Sequence, residues 1–148
     1  VGLGAPHWDS HARGLISGLS FTTQPAHIAR AAADSLAHQT ADIYDFITEA
    51  GSDLGRIFVD GGPSTNPFLM QLVADTLSHA VTPCRNSEAS AIGAAHLAGL
   101  ATGFWPDLGA LTALAAHGAP YQPHLPEPLR DPLRRVWREA VARATLHL

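Results

Sequence analysis

The chain has 148 residues, 46% of them hydrophobic and 15% charged, and a formal net charge of −4. That balance excludes a disordered segment, and the length suits one ordinary domain. The nine basic residues are all arginine and are scattered except for Arg130, Arg134, Arg135 and Arg138, so no basic face marks a nucleic-acid partner.

A single cysteine, Cys84, allows no internal disulfide and fits a reducing compartment. The opening VGLGAPHW lacks a basic region followed by an apolar run, so no signal peptide is expected. The uncharged, small-residue stretch 89–105 has 17 residues, is rich in Ala and Gly and contains His96. It falls short of the roughly 20 apolar residues of a membrane span and suits a tightly packed helix. These features predict a soluble, cytoplasmic protein with no membrane partner.

Residues 1–23 are rich in glycine, with an alternating run at Leu15, Ile16, Leu19 and Phe21 that reads as a loop leading into a short strand. Pro25 suits the first turn of a helix, with Thr23 as its cap. Ile28, Ala32, Leu36, Ile43, Phe46 and Ile47 then recur near the helical period until Gly51, which predicts a helix over 26–50. The run RIFVD at 56–60 is β-branched and aromatic and reads as a buried strand. Gly61, Gly62 and Pro63 form the turn after it. Asn66 or Thr65 caps the next helix, Pro67 occupies its first turn, and Phe68, Leu69, Leu72, Val73 and Leu77 form its inner face.

Residues 80–83 can add one more short strand. Asn86 or Ser87 then caps a helix of small residues over 88–101, with Glu88 near its positive end. A short helix follows over 107–116. After a proline-rich connector at 120–132, an amphipathic helix turns Leu133, Val136, Trp137, Ala140 and Val141 inward. The arginines from Arg130 to Arg143 form its solvated face, interleaved with Glu127, Asp131 and Glu139.

Helix, strand, helix, strand, helix is the pattern of an α/β layer with parallel strands. A parallel sheet needs several strands and cover on both faces. Two or three strands for five helices leave apolar helix faces uncovered, and the first residue is Val1 rather than Met. Both features predict a fragment with further strands upstream. Alone, the chain is expected to be marginally stable or to associate as a homo-oligomer.

The sharpest local feature is the segment DGGPSTN, Asp60 to Asn66, between a strand and a helix. A glycine pair there lets a ligand approach the backbone closely, and amides at a helix N-terminus suit a phosphate or the sugar side of a nucleotide. It is not a Walker P-loop, because the chain has no lysine, and it is not GxGxxG. Asp60 reads as an acceptor that braces the glycine turn more than as a catalytic group. Of nine histidines, His7 and His11 are four apart in a glycine-rich loop, without the third ligand a zinc site needs. Ser64 and Cys84 show no partners for nucleophilic catalysis. Trp8 and Trp105 read as packing anchors.

Three stretches resemble the FGGY carbohydrate kinases, the glycerol kinase branch above all. GLGAPHWDSHARGLISGL at 2–19 is similar to the family's GLGAPYWD…ARG…GL, and RIFVDGGPSTNPFLMQLVADTL at 56–77 to its VDGG…N.FLMQ..AD.L. SEASAIGAAHLAGLATGFW at 87–105 is similar to E.TALGAA.LAGLA.GFW, and WREAVARA at 137–144 to the family's terminal helix. The resemblance implies an actin-like ATPase (ribonuclease H-like) fold: residues 1–148 form part of the C-terminal nucleotide-binding domain, with a mostly parallel sheet flanked by helices. It implies ATP-dependent phosphoryl transfer to a hydroxyl of glycerol or a related polyol or sugar. In that family the second glycine and the asparagine four residues on contact the nucleotide, which assigns Gly62 and Asn66 here, with Gly61 supporting the turn. Pro63 stands where the family commonly has Ala and removes one amide.

ATP and Mg²⁺ are the implied cofactors. The catalytic base, the Mg²⁺ carboxylates and most of the acceptor site are expected outside this chain, so no residue here is assigned to catalysis or to metal, and the chain alone is expected not to phosphorylate an acceptor. A nucleotide-binding module without kinase activity is the alternative, with another actin-like ATPase behind it.

Overall fold

The computed structural model describes residues 2–86 and 88–146. Ser87, one of the two expected caps, lies outside them. Helix α1 (Pro25–Glu49) begins at the expected proline, but its cap is Gln24 rather than Thr23. The Gln24 amide donates to Nδ1 of His27 at 3.1 Å. Thr23 is engaged elsewhere, because its Oγ1 accepts from the Ser20 amide at 2.9 Å and closes a turn there. The strand expected near 15–21 is absent: residues 12–20 form no ladder, and Ile16, Leu19 and Phe21 stand exposed. Alternation alone does not make a strand, since each backbone N–H and C=O needs a partner.

Strands β1 (Ile57–Val59) and β2 (Val81–Pro83) pair in parallel, Ile57 opposite Val81 and Val59 opposite Pro83. They are joined through a 3₁₀ turn (Gly62–Thr65) and helix α2 (Pro67–Leu77). On its other side, β2 meets residues 117–121 in antiparallel bridges, Val81 with Tyr121 and Cys84 with His117. The Tyr121 amide donates to Val81 O at 2.9 Å, and the Val81 amide to Tyr121 O at 3.1 Å. The proline-rich connector therefore doubles as a sheet edge, and the parallel pair gains an antiparallel neighbour. Val81, paired on both sides, is fully buried.

The core lies where α1 crosses α2. Ala37 and Ala41, one turn apart on α1, let the helix approach Leu69, Met70, Val73, Ala74 and Leu77 of α2, and Val81 closes the cluster. Phe68, expected on the inner face, is instead half exposed with the Arg30 guanidinium 5.3 Å above its ring.

Helix α3 (Ala89–Ala101) buries no residue, and Leu36, Ile43 and Phe46 of α1 are exposed. The sheet is thus too small for its helices, as the strand count predicts. Asn86 serves the approach to α3, its Oδ1 accepting from the Glu88 amide at 2.9 Å. Helix α4 (Leu108–Leu114) is capped by Asp107, which accepts from the Ala110 amide. Trp105 packs as expected, so close over Gly99 that a Cβ there would lie 2.5 Å from the indole. Trp8 does not: it is 78% exposed.

Helix α5 (Glu127–Ala144) differs most from expectation. Leu133 and Val136 face out, and Arg134, read as part of a solvated face, is 6% exposed. Arg134 is buried and Trp137 and Val141 half-buried along one stripe, and Arg134 and Trp137 meet carboxylates on α1 rather than an apolar surface.

Candidate functional site

Gly61 takes φ 87° and ψ 171°, a region open essentially to glycine alone. Gly62 has ordinary backbone angles, and a Cβ built on it would meet nothing within 4 Å. The two glycines therefore do different things: the first turns the chain, and the second leaves space above the backbone.

The turn is braced from within. Ser64 Oγ donates to Gly61 O at 2.7 Å and the Ser64 amide donates to the same oxygen at 3.0 Å. Thr65 Oγ1 donates to Gly62 O at 2.8 Å. Asp60, expected to act as the brace, is exposed and makes no hydrogen bond among the described residues. Ser64 holds that role because its hydroxyl follows Gly61 by three residues and folds back onto it.

Asn66 caps α2, its Oδ1 accepting from the amides of Phe68 at 3.0 Å and Leu69 at 3.3 Å. Thr65, the other expected cap, is occupied with Gly62. The cap corrects one expectation about the site. The first amides of α2 are consumed by Asn66, and Pro67 has none, so the helix mouth does not offer a row of free donors to a phosphate. What remains is the backbone of Gly61 and Gly62 and the Nδ2 of Asn66, which has no partner among the described residues. The segment 60–66 carries one carboxylate and no basic side chain. This donor set suits an uncharged part of a nucleotide, base or ribose, better than its phosphates.

Beside the loop lies a cleft of ≈ 420 Å³, walled by residues 3–5 and His7, by α1 and by Asp60, Pro63 and Ser64, and floored by Leu69, Met70 and Val73. Gly62 and Asn66 lie off it.

A second polar cluster joins α1 to α5. Arg134 donates through Nη2 to Asp42 at 2.7 Å and Asp45 at 2.8 Å, and through Nη1 to His38 O at 3.0 Å. Trp137 Nε1 donates to the other Asp42 oxygen at 2.7 Å, and His7 Nε2 lies 3.5 Å from it. His38 stacks on Trp137 with centroids 5.4 Å apart. Burial pushes the His38 pKa below its ordinary value and the nearby Arg134 charge adds to this, while Asp34 and Asp42 pull the other way. His7 thus turns towards a carboxylate, and among the described residues no group of three His, Cys, Asp or Glu is arranged to hold a metal.

Among the described residues no helix is long and apolar enough to cross a membrane. The sequence pattern of the FGGY family of carbohydrate kinases, C-terminal domain, matches residues 1–102. Glycerol kinase of Enterococcus casseliflavus is 44% identical over 143 residues, which covers 96% of this chain and 28% of that protein. Glycerol kinase of Deinococcus radiodurans is 42% identical over 145 residues, covering 97% and 29%. The chain therefore spans under a third of the length of these relatives. Among solved structures, Plasmodium falciparum glycerol kinase with ADP superposes with TM-score 0.82 at 31% identity, over 99% of this chain and 30% of that one. A ligand-bound xylulose kinase from Lactobacillus acidophilus reaches 0.71 at 22% identity, over 95% and 27%, a likeness of fold alone. The α/β arrangement is thus part of the actin-like ATPase fold of these kinases.

Proposed function

We propose that this chain, which belongs to the FGGY family of carbohydrate kinases through that family's C-terminal domain, forms part of the nucleotide-binding lobe of an enzyme that transfers a phosphoryl group from ATP to a hydroxyl of glycerol or a related polyol or sugar. The observation that carries this reading is the loop between β1 and α2. Open space stands over Gly62, and the one unpartnered side-chain donor of the loop, Asn66 Nδ2, lies four residues on. Gly62 lets the nucleotide rest against bare backbone, Asn66 donates to an acceptor atom on it, and Gly61 sets the turn that brings the two together.

When bound, ATP supplies the phosphoryl group. The chain's own residues bind and orient its nucleoside end, away from the reacting phosphate. No carboxylate cluster among the described residues fits Mg²⁺. We assign the Mg²⁺ ligands, the base that accepts the hydroxyl proton and most of the acceptor site to the parts of the longer relatives that this chain does not span. The glycerol kinase relatives favour glycerol among the acceptors.

Calorimetric titration of the 148-residue chain with ADP tests the site. Gly62→Val fills the space over the backbone and should weaken binding at least about tenfold, the scale of one lost close contact set. Asn66→Ala should weaken it by a smaller factor, beyond its effect on folding. If both variants fold and keep the wild-type Kd, the glycine pair is a turn and nothing more.

A further inference from the structure

Ser64 and Arg134 are the two polar side chains buried among the described residues, and Ser64 meets no charge that would explain its burial. Its hydroxyl and its amide both donate to Gly61 O, at 2.7 and 3.0 Å. That oxygen belongs to the peptide unit joining Gly61 to Gly62. In a planar trans peptide the C=O and the next N–H point in opposite directions. Two donors holding Gly61 O on one side therefore turn the Gly62 N–H to the opposite side, away from Ser64, and this N–H donates to no described residue. The torsions on either side of the unit belong to glycines, which by themselves allow the plane to rotate.

We propose that Ser64 is a positioning residue: it locks the Gly61–Gly62 peptide plane with the Gly62 N–H facing the bound nucleotide. This rests on the site reading above and deepens it, because it makes the orientation of one backbone donor, and not only the absence of a side chain, part of nucleotide recognition. Thr65 makes the analogous bond one residue on, to Gly62 O, but from an exposed position where water competes.

The test uses the ¹⁵N-labelled 148-residue chain, ADP as the probe, and the variants Ser64→Ala, Ser64→Thr and Gly62→Val. Ser64→Ala should weaken ADP binding by about three- to tenfold, the range of one ordinary hydrogen bond, and lower the ¹⁵N order parameter of Gly62. Ser64→Thr restores the hydroxyl at a residue that lines the adjoining cleft. It should recover both readouts. If Ser64→Ala lowers the melting temperature but keeps the wild-type Kd and the Gly62 order parameter, Ser64 is merely structural and the proposal is overturned. Where Ser64→Ala lowers the folded population, Ser64→Cys, of similar shape but a weak donor, carries the same comparison. Gly62→Val separates the two levels. If it abolishes ADP binding while Ser64→Ala does not touch it, the site stands and the Ser64 proposal falls. If Gly62→Val binds like wild type, or wild type fails to bind millimolar ADP, the site reading fails and takes this proposal with it.

Discussion

Replacing Arg134 with methionine keeps most of the apolar stem in place and removes the guanidinium from between α1 and α5. Three bonds of 3.0 Å or less are lost: to Asp42, to Asp45 and to His38 O. They do not count equally. The Asp45 side chain is 49% exposed, so it rehydrates, and its share is about 0–1 kcal/mol. Asp42 is 9% exposed and cannot do so. Stranding one member of a buried pair costs about 3–5 kcal/mol. Asp42 keeps the Trp137 indole at 2.7 Å, which places Arg134→Met near the lower end, at about 3 kcal/mol. Urea unfolding followed by tryptophan fluorescence and circular dichroism reads this directly. Because the penalty is a stranded charge, Arg134→Met with Asp42→Asn should be more stable than Arg134→Met alone. A single-variant loss under about 1 kcal/mol, or no recovery in the double variant, would refute the reasoning.

Gly61→Ala should lose about 1–3 kcal/mol, because alanine at φ 87° and ψ 171° is strained, whereas Gly62→Ala should melt within a degree or two of wild type; paired thermal melts show whether the two glycines divide their roles as described. Stability should also fall in mild acid on account of His38. Its folded pKa lies below the ordinary 6.5, so the unfolded chain takes up the proton first. The His38 contribution is therefore complete above about pH 6.5 and lost as pH drops below it, and urea midpoints at pH 7.5 and 5.5 should differ less in His38→Phe than in wild type.

The helix starts and the turn after β1 were legible in the sequence because local chemistry determines them. Pro25 and Pro67 start their helices where their fixed φ belongs, and Asn66 caps α2 through an oxygen that only its own neighbours can use. What escaped depends on partners far along the chain. The antiparallel bridges at 117–121 have no strand-like pattern, since Gly118 and Pro120 interrupt them, and they exist because β2 offers an open side. Arg134 looked like one of a row of surface arginines. A signal was present all the same, for Arg134, Trp137 and Val141 share one helical face, and Asp42 and Asp45 are three apart on α1. The different tasks of Gly61 and Gly62 could not be told from the letters, because only backbone torsions distinguish them.

The bonds from Arg134 reach back 89 to 96 positions along the chain. During synthesis at roughly 5–20 residues per second, α1 therefore emerges on the order of 5–20 s before the helix that completes it. Throughout that interval Asp42 and Asp45 remain hydrated and keep their part of α1 compatible with water, while Ala37 and Ala41, in the preceding turns, already meet α2. An apolar seam at the same place would leave a nascent hydrophobic strip waiting for its cover. A carboxylate pair closed late by an arginine lets the growing polypeptide delay that closure without adding to the apolar surface that α1 already exposes.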